Sequence, residues 1–136
     1  MKRIEIVLVM VTVSTALCPW SLRAATIHVA TNGTSTSPYD TWAKAATNIH
    51  DAVTLAGTND TVLVSNGVFY ITSTITNDTG FTLSGVNGYG ATTIERNASA
   101  GSFAIFYLDH TNAFVSGVTV TKGDKPGNNW TVSGIR

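Results

Sequence analysis

Acid–base cleavage of a covalent bond requires two carboxyl groups a few ångströms apart, one protonated to donate and one ionised. This chain carries Asp60, Asp78, Glu95, Asp109 and Asp124 singly along its length. Asp109-His110 and Glu95-Arg96 set two ionisable groups side by side, but neighbours on a strand point to opposite faces. Asp109 with Asn112 suits a turn cap instead, since short polar side chains bond the backbone around them. His50 and Asp51 read as solvated. No His/Cys cluster has the spacing of metal ligands. Gly88-Tyr89-Gly90 lacks the third glycine and the following helix of a dinucleotide fingerprint, so it reads as a turn. The five Asn-x-Ser/Thr sequons, at Asn32, Asn59, Asn77, Asn97 and Asn129, are expected in a chain this rich in Asn, Ser and Thr and receive no role.

Recognition is better supplied than catalysis. An exposed aromatic ring stacks on the apolar face of a pyranose, and Trp130, Tyr89 and Tyr70 are the candidates for that contact if they face outward. Phe103, Phe106 and Phe114 are expected in the core, where each large apolar side chain contributes about 1.5–3 kcal/mol.

The elements that would position these residues are mostly strands. Thr82-Leu83-Ser84-Gly85-Val86, Phe114-Val115-Ser116-Gly117-Val118 and Thr131-Val132-Ser133-Gly134-Ile135 share the pattern x-apolar-Ser-Gly-apolar at unequal intervals. Each reads as a short strand followed by a bend, with Gly85, Gly117 and Gly134 at corners where φ > 0 or close backbone approach is needed. In Val118-Thr119-Val120-Thr121 the apolar residues alternate with threonines, as on a strand with one buried face. One such strand cannot bury its face alone, so repeated copies are expected to stack. Further strands are expected at Thr26 to Ala30, Thr61 to Val64, Val68 to Tyr70, Ile71 to Thr76, Phe81 to Val86 and Thr92 to Ile94. Ser102 to Leu108, apolar and aromatic throughout, is expected to be covered on both faces. One helix is expected: Trp42, Ala45, Ala46, Ile49, Ala52, Val53 and Ala56 make a single stripe, with Asp40 or Thr41 as the start and Gly57 as the end.

Composition agrees with a β-rich chain. Of 136 residues, 43% are hydrophobic and only 12% charged, too few charges to dress many helix surfaces. The formal net charge is zero, which encodes no general attraction to nucleic acid or anionic membrane. Residues 1–25 read as a secretory signal peptide, with Lys2 and Arg3 before the uncharged run from Ile6 to Leu17. That run is too short to span a membrane, and removing it also removes Cys18, the sole cysteine. The expected organisation is therefore signal peptide 1–25, an N-terminal strand, loop and capping helix over 26–59, and repeated strands over 60–136. The repeats end abruptly after Ile135, which reads as an incomplete stack with an uncovered edge open to edge-to-edge association.

The order of these pieces resembles the N-terminal portion of secreted right-handed parallel β-helix proteins of the pectin-lyase-like class. The resemblance rests on Ile27-His28-Val29-Ala30-Thr31-Asn32-Gly33, on Thr41-Trp42-Ala43-Lys44-Ala45 with Asn48-Ile49-His50-Asp51-Ala52, and on Asn59-Asp60-Thr61-Val62-Leu63-Val64 with Gly67-Val68-Phe69-Tyr70. It continues through Leu83-Ser84-Gly85-Val86-Asn87-Gly88 and Ala113 to Gly123. It implies an all-β parallel solenoid with the helix plugging its first turn. The class includes polysaccharide lyases, which hold calcium with clustered Asp/Glu, as well as hydrolases and adhesins. No such acidic cluster stands in this chain, so no cofactor, calcium included, and no catalytic or metal-binding residue is assigned. The expectation is an exported extracellular or cell-surface module, binding or structural, whose partners are polysaccharide or other cell-surface components. The alternative is the N-terminal fragment of a polysaccharide lyase or glycoside hydrolase.

Overall fold

The computed structural model describes residues 23–123. The signal-peptide reading of residues 1–22, the third x-apolar-Ser-Gly-apolar copy, Trp130 and Gly134 lie outside them. Along the chain come β1 (Thr26–Val29), α1 (Ile49–Leu55), β2 (Thr61–Val64), β3 (Gly67–Ile71), β4 (Ile75–Asn77), β5 (Thr82–Gly85), β6 (Thr92–Arg96), β7 (Phe106–Leu108), β8 (Phe114–Ser116) and β9 (Thr119–Thr121). Three sheets result, ordered β1-β2-β5-β8, β3-β6-β9 and β4-β7, and every pairing within them is parallel. From β2 to β7 the chain visits the first, second and third sheet in that order twice, then starts again with β8 and β9. The described residues are thus mostly parallel sheet with one short helix, compatible with an all-β fold.

Register explains the core. Ile27, Val62, Leu83 and Val115 occupy one row across the first sheet, and all are buried. Phe69 pairs with Ile94 in the second sheet, while Ile75 and Phe81 complete the interior from the third sheet and the turn after it. Alternate residues point out, so β1 to β6 bury every second side chain over at least part of their length. The first two sheets meet at a tight corner. Gly117 has φ +63 and lies against the backbone of Gly85, where an added Cβ would collide with the Gly117 carbonyl. Gly117 splits the expected Phe114–Thr121 run into β8 and β9.

Three expectations need correction. The helix begins at Ile49, with the Asn48 side chain accepting the His50 N–H at its start and Ala56 closing its end. Upstream, the Ala46 N–H donates to the His28 carbonyl and the Ala30 N–H to the Ala46 carbonyl. Residues beside β1 thereby find backbone partners that a helix would have taken away. Trp42, placed by periodicity on the buried stripe, is 42% exposed. The second correction concerns the apolar run from Ser102: only Phe106–Leu108 is a strand, and Tyr107 and Leu108 are exposed rather than covered. The third concerns the phenylalanines. Phe114 pairs with Thr82 on the outward row and is 56% exposed, whereas Phe103 and Phe106 are only partly buried and Phe81 holds the interior place.

Candidate functional site

The positions singled out in the sequence are dispersed. Tyr70 lies outward on β3 and is 63% exposed, and Tyr89, in the β5–β6 connection, is 66% exposed. Both rings are therefore open to a ligand. The Thr119 hydroxyl donates to the Tyr89 carbonyl at 2.6 Å, pinning that connection to β9. At the β7–β8 turn the capping is done by His110 rather than by Asp109: His110 Nδ1 accepts the Asn112 N–H at 3.0 Å and its carbonyl accepts the Ala113 N–H. Its ring packs over Gly80, where a side chain would collide with it. Asn112 reaches Asn59 at 3.5 Å, and Asp109 contributes its backbone N–H to the Asn77 carbonyl.

The acidic groups remain apart. Asp60 accepts the Ala25 and Gly57 N–H groups, each at 2.7 Å, and so caps the turn before β2. Asp40 pairs with Lys44 at 3.0 Å. Glu95, on the outward row with Tyr70 and Thr121, receives Lys122 Nζ at 2.7 Å and the Thr121 hydroxyl at 3.1 Å. The Lys122 ammonium bond, outweighing partial desolvation, holds the Glu95 carboxyl below its ordinary pKa. The same bond raises the Lys122 ammonium above its own. Among the described residues no three His, Cys, Asp or Glu side chains gather where a metal ion could be held.

Among the described residues two clefts stand out. The smaller, about 280 Å³, lies between α1 and the residues around β4, with His50, Thr54, Thr76 and Asp78 on its walls. His50 is not simply solvated there: its Nε2 lies 3.0 Å from the Ser73 hydroxyl. This contact ties α1 to the β3–β4 connection.

The larger cleft, about 550 Å³, is lined by Thr31, Asn32, Trp42, Ser65, Asn66, Val86 and Asn87. Ser65-Asn66 and Val86-Asn87 follow β2 and β5 directly, and Thr31-Asn32 follow β1 at the same end. Because β1, β2 and β5 are neighbours in register, three successive corners make one floor. Asn87 Nδ2 donates to Asn66 Oδ1 at 2.8 Å, linking two of them. The Trp42 wall is held by packing: His28 Nδ1 lies 3.1 Å from the Tyr39 carbonyl, and its ring meets Trp42 edge-on with centroids 4.5 Å apart. All seven lining side chains are uncharged. An aromatic wall over an amide and hydroxyl floor can stack a ring face and exchange hydrogen bonds with hydroxyl groups.

Sequence reasoning did not single out this cleft. A signal was present, since Asn32-Gly33, Asn66-Gly67 and Asn87-Gly88 repeat one dipeptide just after each of three first-sheet strands. Compared with known protein families, curated proteins and solved structures, the chain matches none.

Proposed function

We propose that the chain is an exported extracellular or cell-surface module, a right-handed parallel β-helix of the pectin-lyase-like kind, that binds carbohydrate. Three parallel sheets visited in cyclic order support the helical path, and parallel crossovers are overwhelmingly right-handed. The basic start and uncharged run of residues 1–25 support export. The observation that carries the binding function is the corner cleft, where Trp42, in edge-on contact with His28, stands beside Asn66 and Asn87. Sugar recognition uses that combination: an apolar ring face for the C–H face of the pyranose and bidentate amides for its hydroxyls.

The full chain, expressed with its leader, tests this reading. N-terminal sequencing of exported protein should find a mature start near Thr26. Affinity electrophoresis through gels containing soluble neutral or acidic polysaccharides should show retarded migration in at least one of them. Unretarded migration in every gel refutes the binding function, and an intact N-terminus inside the cell refutes export.

A further inference from the structure

Resting on that reading, we infer that the ligand is an uncharged oligosaccharide lying along the corner between the first two sheets, stacked on Trp42 and read by Asn66 and Asn87. Charge decides the ligand class. Among the described residues no cation lines the cleft, and a uronate or sulfate brought against it would lose water without gaining a counter-charge there, which is costly. Neutral hydroxyls meet no such penalty. Each can donate to and accept from amide groups, and the Asn87-to-Asn66 bond uses one donor of Asn87 and one acceptor of Asn66. The ladder therefore presents an amide N–H₂ at its Asn66 end and a carbonyl oxygen at its Asn87 end.

Direction follows from the sheet. Asn66 and Asn87 follow adjacent strands, and parallel neighbours lie about 4.8 Å apart, close to the advance of an extended pyranose chain per sugar unit. Successive sugars can thus meet successive corners. Trp42 stands at the β1 end of this row, where its ring meets that of His28 before any ligand arrives. Little ordering is then needed on binding. The β5–β6 connection that carries Asn87 also carries the exposed Tyr89, a second open ring two residues further along the chain.

Titration calorimetry of the full chain with cello-, xylo- and manno-oligosaccharides, and with oligogalacturonate as the charged counterpart, tests the inference. At least one neutral series should bind and the galacturonate should not. Trp42→Ala should weaken that binding about tenfold, the scale of one aromatic stacking contact. Circular dichroism would check its fold, because Trp42 also touches His28. Asn66→Ala and Asn87→Ala, at exposed corners, should each weaken it several-fold with the fold intact. If only galacturonate binds, or if neutral sugar binds and all three variants match the parent, this assignment is overturned while the carbohydrate-binding reading stands. If no saccharide binds, both fall.

Discussion

Asn77 is fully buried and belongs to no ligand-facing surface, yet its removal should cost more than that of most core residues. Its Nδ2 donates to the Phe81 carbonyl at 2.6 Å, and its Oδ1 accepts the Gly80 and Phe81 N–H groups at 3.0 and 3.2 Å. These three bonds fold the turn that carries the chain from the third sheet back to the first. In Asn77→Ala the Gly80 and Phe81 N–H groups lose their partner in a buried site, while the Phe81 carbonyl keeps the Phe114 N–H at 3.3 Å. Each orphaned donor costs about 1–3 kcal/mol, so the variant should lose roughly 2–6 kcal/mol. That is a large part of the 5–15 kcal/mol typical of a whole domain, by the usual range. Thr76→Ala, one residue earlier and exposed, provides the control and should stay within about 0.5 kcal/mol of the parent. Urea unfolding followed by far-UV circular dichroism, with equal slopes for parent and variants, gives the difference from the midpoints. A loss below about 1 kcal/mol for Asn77→Ala would show that the backbone alone holds the turn, because a single ordinary hydrogen bond is worth that much.

Gly85→Ala should be damaging although a methyl group is small, because its Cβ meets the Gly117 carbonyl, a backbone atom that cannot rotate away. A loss of about 1–3 kcal/mol is expected from this overpacking, and an unchanged Tm would mean that the corner opens freely. The Glu95–Lys122 pair should give a pH-dependent contribution with two limits. Since the carboxyl lies below its ordinary pKa, its part is full above the ordinary glutamate value and fades as pH falls through the lowered one. Since the ammonium lies above its ordinary pKa, its part is full below the ordinary lysine value and fades as pH rises through the raised one. The Glu95 side chain is 17% exposed and that of Lys122 59%, so salt should weaken the pair. Thermal melts of Glu95→Gln against the parent across this range should converge at both extremes; a constant gap would assign the effect to packing.

Strand identity was legible because alternation is local. Thr61–Val64 forms as read, and the segments from Val68, Phe81 and Thr92 form with ends shifted by one or two residues. Burial of a given aromatic was not legible, since it depends on which face of its strand meets the interior. Phe114 points out because its neighbour Val115 pairs with Leu83 on the inward row, a parity set by the adjacent strand and invisible in Phe114 itself. The same holds for the segment from Trp42 to Ala46. Its periodicity is helical, but β1 offers backbone hydrogen bonds to Ala46 from a distant part of the chain, and those outweigh a local propensity worth tenths of a kcal/mol per residue, about 0–0.7. Asn77 stood out in the sequence only as a sequon without a role, because its partners lie in the turn it creates. The cleft is a tertiary object altogether. Thr31, Asn66 and Asn87 are far apart in sequence and become one surface only when the parallel register sets their corners side by side. The sequence by itself determined that apolar faces recur and where the chain can bend; the packing of strand on strand decided which side chains those bends bring together.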